Sequence, residues 1–180
     1  MALEELKLLI PEFARDQKRN LDTLLNSSTL SEQQRWGCIL AAAMTANHHL
    51  VLGPARKEAQ ANLNARALEV VASCATVMTL NNYGFRAKHW LGEDFEDIRF
   101  GLRNGVNLAP GVSQADYELW AITVSAVNGC EQCIQAHSRD AQVAGVEKLQ
   151  VWEAVKIAAV IQAIAQAIAM AQEIGDGQDS

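Results

Sequence analysis

Proline is scarce in this chain, with only 3 among 180 residues, so little in the sequence breaks helices. Nowhere do apolar and polar residues alternate long enough to argue for a half-buried strand. These two absences together predict an all-α protein. No lysine–arginine cluster stands out and the formal net charge is −6, which argues against a phosphate-backbone partner and hence against nucleic acid. The first residues, "MALEELKLLIPEF", set two glutamates where a secretory signal would carry positive charge, and no small-residue cleavage site follows. The longest apolar run, Ile157 to Ala171, is interrupted by Gln162 and Gln166 and falls short of the ~20 apolar residues of a membrane span. The expectation is a cytoplasmic protein without a membrane partner. Cytoplasmic thiols are normally reduced, so a disulfide here would be transient and catalytic rather than structural.

What is present reads almost throughout as helix. The length suggests one domain over residues 1–180, able to bury roughly 70% of its unfolded surface without a metal or disulfide staple. Pro11 suits the first turn of a helix carrying Phe13, Leu21, Leu24 and Leu25 on its apolar side. Ser31 with Gln34 forms a capping-box pattern, and Pro54 and Asn64 are read as later helix starts. Residues 92–111 carry "GLRNG" and Pro110-Gly111, the marks of a loop-rich connector with short helical pieces. Ser113 with Asp116 opens a further helix that Asn128-Gly129 should end. Another is expected from about Cys130 to Ala144, and an apolar one from about Glu147 to Glu173. Residues 175–180 are polar and acidic and are expected to fray. Trp36 and Trp120 lie 84 positions apart, as do Glu69 and Glu153. This faint echo suggests a duplicated helical unit, with Ala46 and His49 matching Cys130 and Cys133.

The stretch "NGCEQCIQAH" carries the chemistry. Residues three and four apart share a helical face, so Cys130, Cys133 and His137 form one stripe. Cys130 meets the unpaired amides and positive dipole end of the helix, which favour a thiolate. Cys133 has the imidazole one turn below to take its proton. Glu118 lies eleven residues before Gly129 and His137 eight after it. In an antiparallel hairpin this sets Glu118 about 4.5 Å beyond the level of His137, where its carboxylate would reach the far ring nitrogen and fix the tautomer. Nucleophile, base and orienting acid then run Cys133, His137, Glu118. Cys130 is the second thiol, which closes the disulfide and, being at the helix end, is expected to be the more accessible of the two.

Other readings remain open on spacing alone. C-x-x-C also occurs in zinc sites, but a structural zinc needs a fourth ligand. Cys38 and Cys74 sit in separate apolar helices, and His48, His49 and His89 are distant in sequence. A purely structural disulfide across three residues would constrain the unfolded chain little. Cys38 and Cys74 read as small buried hydrophobes, His48-His49 as a helix-end feature, and the four tryptophans as core or interface anchors. Asn81-Asn82, followed by Tyr83 and Arg86, receives no role from spacing.

"ELW", "SAVNGC", "CEQC" and "AHSRD" resemble the AhpD (alkyl hydroperoxide reductase D) family of the carboxymuconolactone decarboxylase-like superfamily. Its signature is a glutamate, eleven residues, then C-x-x-C-x-x-x-H, met here by Glu118, Cys130, Cys133 and His137. "MTLNNYGFR" and "GLRNGVNLAPG" extend the similarity along the chain. The resemblance implies an all-α bundle of about eight or nine helices with an internal pseudo-repeat, its motif within about 113–174, assembled as a homotrimer or hexamer. It implies a peroxidase and disulfide reductase in which Cys133 is the peroxidatic thiol, Cys130 the resolving one, His137 the proton relay and Glu118 the residue that orients it. The implied partners are an AhpC-type peroxiredoxin and the lipoyl domain of a 2-oxo-acid dehydrogenase acyltransferase. Electrons would come from the dihydrolipoyl group, with NADH and FAD upstream on partner proteins, and no cofactor or metal bound to this chain. That agrees with the lack of a Gly-rich dinucleotide fingerprint. Family members often carry histidine before the second cysteine, where this chain has Gln132. The rival readings are a non-catalytic thiol–disulfide adaptor and a metal-binding helical module. A decarboxylase like the superfamily's namesake fits least, since those lack the dithiol stripe.

Overall fold

The computed structural model describes residues 2–26 and 28–176. Among them are eight α-helices and no strand: α1 (Ala2–Leu9), α2 (Asp16–Asn26), α3 (Glu32–Ala46), α4 (His49–Asn62), α5 (Ala65–Leu91), α6 (Gln114–Asn128), α7 (Glu131–Val143) and α8 (Lys148–Asp176). Short 3₁₀ turns at Glu12–Ala14 and Glu93–Phe95 complete the helical content. The all-α expectation holds.

The starts of α3, α5 and α6 follow from their caps. Ser31 and Gln34 exchange side-chain-to-backbone hydrogen bonds at 3.2 and 3.1 Å, and Ser113 and Asp116 do so at 3.1 and 3.0 Å. Asn64 accepts from the Ala67 amide at 2.9 Å. Each pair satisfies amides that a helix start leaves orphaned. Pro54 does not begin a helix: it lies inside α4, which starts at His49 behind the His48 cap. Nor does Pro11 begin α2. It precedes the first 3₁₀ turn, and Phe13 stays largely exposed while Leu21 and Leu24 are buried. At the other end α8 continues through Asp176, two residues into the stretch expected to fray, and 177–180 lie outside the described residues.

The core is formed where α3, α6 and α8 pack against one another, with α5 over α6 and α4 over α3. Trp120 is fully buried at its centre, together with Ile39, Leu119, Ile157 and Ile161. Gly37 makes the α3–α6 approach possible, because a Cβ there would overlap the Trp120 indole. By length and composition α8 could cross a membrane, which the broken apolar run had argued against. Its stripe Ile157, Ile161, Ile164 and Ile168 is nonetheless sealed in this core.

The helix starts do recur at a fixed spacing, but that spacing is not the 84 of the tryptophan echo. Helices α3 and α6 begin at 32 and 114, and α4 and α7 at 49 and 131, so both pairs are 82 residues apart. Glu69 and Glu153 have no common environment either. Glu69 is exposed, whereas Glu153 is buried and accepts from the Ser28 hydroxyl, the Thr29 amide at 2.9 Å and the Thr29 hydroxyl at 2.6 Å. The tryptophans divide as well: Trp36 and Trp120 are buried, Trp90 and Trp152 exposed.

Candidate active site

Helices α6 and α7 meet at Gly129, whose φ of 66° lies in the left-handed region that glycine enters without steric cost. The turn is tied down from α5. Asn82, fully buried, donates to the Ser125 hydroxyl at 3.0 Å and accepts from the Asn128 side chain at 3.0 Å. The Arg86 guanidinium donates to the Asn128 carbonyl, and its plane lies over the rings of Tyr83 and Trp90. Half of the "NNYGFR" stretch thus fixes the point where α7 begins. Cys130 is the N-cap of α7 rather than its first helical residue, and its amide donates to the Ser125 carbonyl at 3.0 Å.

The antiparallel hairpin brings Glu118 to His137, with Oε2 2.6 Å from Nδ1. Gln114 donates to the other carboxylate oxygen, so both oxygens of this buried group are satisfied. A buried carboxylate facing Nδ1 calls for a proton on that nitrogen, leaving Nε2 as the ring atom free to exchange protons elsewhere. Tyr117 sets its ring edge against the His137 ring at 6.2 Å. Burial, with Cys74 and Glu118 nearby, pushes the Tyr117 phenol up, so it stays a neutral hydroxyl.

Cys130 and Cys133 are joined as a disulfide, with Cα atoms 5.3 Å apart. Here one expectation fails. Cys130 is 0% exposed and Cys133 6%, so the helix-end cysteine is not the accessible one. An N-cap in a tight turn is covered by the helix before it and by α5 across it, whereas Cys133 lies one turn along on the open side of α7. Cys133 and His137 line a cavity of about 270 Å³ together with Ala136 and Gln132 of α7 and Asn81 and Phe85 of α5. Gln132 is exposed. With Phe85 it also borders a larger depression of about 540 Å³ reaching Lys88, His89, Glu93 and Glu96. It therefore sits at the mouth of the cavity.

The other two thiols are unlike this pair. Burial pushes Cys38 up to about 12 despite a hydrogen bond with Thr123, and burial likewise raises Cys74. Neither supplies thiolate near neutral pH. As for metals, Glu118, His137 and Asp140 offer ligand atoms within 4.8 Å of one another. Glu118 Oε2 and His137 Nδ1 are already hydrogen-bonded to each other there, and a divalent ion would compete with that contact.

Spacing found the four residues of the motif and missed those α5 contributes. Asn81 and Phe85 are separated from α7 by some fifty residues, and nothing in their local pattern marks them as cavity-lining. The only available signal was the paired asparagine itself, polar residues in an otherwise apolar helix.

Residues 93–174 match the carboxymuconolactone decarboxylase family. The chain is 45% identical over 168 residues to alkyl hydroperoxide reductase AhpD of Corynebacterium aurimucosum, covering 93% of this chain and 95% of that one. It is 44% identical over 165 residues to the AhpD of Streptomyces griseus, covering 91% and 93%. With the AhpD of Mycobacterium ulcerans the identity is 38% over 174 residues, covering 97% and 98%. On this similarity along nearly its whole length, the chain belongs to the AhpD family within the carboxymuconolactone decarboxylase-like superfamily.

Proposed function

We propose that this protein reduces organic hydroperoxides with the Cys130–Cys133 pair, is itself re-reduced by a dihydrolipoyl group, and passes electrons to an AhpC-type peroxiredoxin. The observation that carries the reading is the 2.6 Å contact between Glu118 and His137 beside a cavity that Cys133 shares with His137. Its relatives' name, alkyl hydroperoxide reductase, points to the same chemistry.

In this reading Glu118 holds the Nδ1 proton and His137 takes the Cys133 proton through Nε2. The Cys133 thiolate attacks the peroxide and becomes a sulfenic acid, and Cys130 displaces water from it to form the disulfide. Reduction starts at the sulfur that opens to the cavity. A dihydrolipoyl thiolate attacks Cys133, and Cys130 leaves as a thiolate where the orphan amides of α7 stabilise it. The donor's second thiol then closes the lipoyl disulfide and frees Cys133. Recycling of AhpC is the same exchange with the reduced pair attacking the peroxiredoxin disulfide. A reducing compartment such as the cytoplasm keeps this cycle supplied.

The test is NADH oxidation in a reconstituted chain of dihydrolipoamide dehydrogenase, lipoyl domain, this protein and AhpC. Turnover of tert-butyl hydroperoxide that needs the lipoyl domain but survives omission of AhpC is the expected result. Turnover that vanishes without AhpC would make the protein an adaptor, and indifference to the lipoyl domain would remove the proposed donor.

A further inference from the structure

We propose that the trough leading away from Cys133 along α5 seats the dihydrolipoyl donor, with the amide linkage of its chain held among His89, Glu93 and Glu96. This rests on the donor named above and adds the place where it binds. Two hollows meet at one neck. The cavity of Cys133 and His137, about 270 Å³, and the outer depression, about 540 Å³, share Phe85 and Gln132 as lining residues. From that neck Phe85, Lys88, His89 and Gly92 form the i, i+3, i+4, i+7 stripe of one face of α5 and its cap. They carry the trough about 10 Å along the helix.

The far wall is held in place. Lys88 Nζ donates to the carbonyls of Glu96 and Ile98 at 2.9 and 2.7 Å, and Phe100 packs on Phe85 with ring centroids 5.0 Å apart. Gly84 admits Phe100, since a Cβ there would overlap its ring. The segment 93–100 is thereby folded back on α5, with Glu93 and Glu96 lining the trough. The trough is open to a ligand, for His89, Glu93, Glu96 and Gln132 are all exposed.

The lining changes character along its length, and that change selects the ligand. Beside Cys133, Phe85 and Ala136 offer apolar surface. Beyond the neck the walls are an imidazole, an ammonium and two carboxylates. A hydrocarbon tail there would strip water from polar groups and return no hydrogen bond, so the tail of a fatty hydroperoxide does not belong. A dihydrolipoyl group changes polarity in the same order, with thiols and methylenes first and an amide after them. Glu93 or Glu96 can accept the amide N–H, and a ring N–H of His89 can donate to its carbonyl. A free carboxylate in the same position would meet two like charges against one ammonium.

The exchange balances with the arm so placed. A donor thiolate attacks Cys133 Sγ and forms a mixed disulfide, while the Cys130–Cys133 bond breaks and Cys130 leaves with the electron pair. The donor's second thiol attacks its own sulfur in the mixed disulfide, closing the lipoyl ring and releasing Cys133. Two electrons pass from donor to protein, and the two donor thiol protons end on Cys130 and Cys133.

The test follows reduction of this disulfide in the full chain at low ionic strength, by rapid quench and thiol labelling, with dihydrolipoamide, dihydrolipoate and dithiothreitol. His89→Trp fills the trough, Glu93→Gln/Glu96→Gln removes its negative charge, and circular dichroism establishes folding. His89→Trp is expected to slow dihydrolipoamide about fivefold, the scale of one net hydrogen bond, and to leave dithiothreitol, which has no arm, at the wild-type rate. The wild type should react faster with the amide than with the acid, and the double variant should narrow that ratio about threefold. Equal slowing of dihydrolipoamide and dithiothreitol in His89→Trp overturns the proposal, as does an unchanged dihydrolipoamide rate there or an unchanged amide-to-acid ratio in the double variant. If the wild-type disulfide yields to dithiothreitol and not to dihydrolipoamide, the donor reading falls first and this inference with it.

Discussion

At the head of α4, Asn47 turns the chain at φ 53° and His48 caps the helix. At the head of α7, Gly129 turns it at φ 66° and Cys130 caps. In the 82-residue register of the helix starts, Cys133 corresponds to Val51, His137 to Ala55 and Glu118 to Trp36. Val51 and Ala55 are fully buried, and the first half uses these slots for packing. The second half keeps the same turn and cap conformation, places sulfur at the cap and on the next turn, and has α5 lining the cavity beside it. A shared scaffold thus supplies the dipole and the turn. The chemistry comes from four replacements on it, Cys130 for His48, Cys133 for Val51, His137 for Ala55 and Glu118 for Trp36, and from what packs alongside.

Copying the first half into the second is the most drastic way to break the contrast. Cys133→Val retains a small apolar side chain and removes the sulfur that opens to the cavity. Peroxide-driven loss of thiols, titrated in the reduced protein, is expected to drop to background, and substantial residual turnover would move the reacting sulfur to Cys130. His137→Ala copies Ala55 and should slow the same reaction by ~10²–10⁴-fold at neutral pH. Stopped-flow rates should show the deficit narrowing at alkaline pH, where the thiolate forms without a base.

Burial alone would push the Glu153 carboxyl up, yet hydrogen bonds from Ser28 and Thr29 and the nearby Lys156 hold it below its ordinary value. Glu153→Ala is expected to cost about 2–3 kcal/mol in urea denaturation, since hydrogen bonds to a charged group are lost. Glu69→Ala, at an exposed glutamate of the first half, should stay within ~0.5 kcal/mol. The sign with pH follows from the depressed value. The Glu153 contribution is present above the unfolded carboxyl pKa of ~4.3 and is lost as pH falls through the lower folded one. The smallest effect is at the turns. Gly129→Ala forces an alanine to positive φ and should cost ~1 kcal/mol while slowing disulfide closure, because Cys130 caps the next helix. Asn47→Gly should leave the reaction rate untouched, as no chemistry depends on the first turn.

The sequence alone determined what is local. Serine–glutamine and serine–aspartate pairs capped helices because the partners are three residues apart, and Gly129 marked a turn because few residues tolerate its φ. Cys130, Cys133 and His137 formed a stripe because helical geometry fixes neighbours at three and four. Glu118 could be counted across the hairpin because both helices leave the same short turn. Local rules misplaced Pro54 and Phe13, where an earlier cap and the packing of α2 prevailed over propensity. Only the tertiary structure set the 82-residue spacing of the helix starts, which the matching tryptophans had put at 84. It also decided that Cys133 rather than Cys130 meets the cavity, and that Asn81 and Phe85 form the opposite wall. These last outcomes rest on α5 crossing a hairpin some fifty residues away, and no spacing within either segment encodes which of its faces will meet the other.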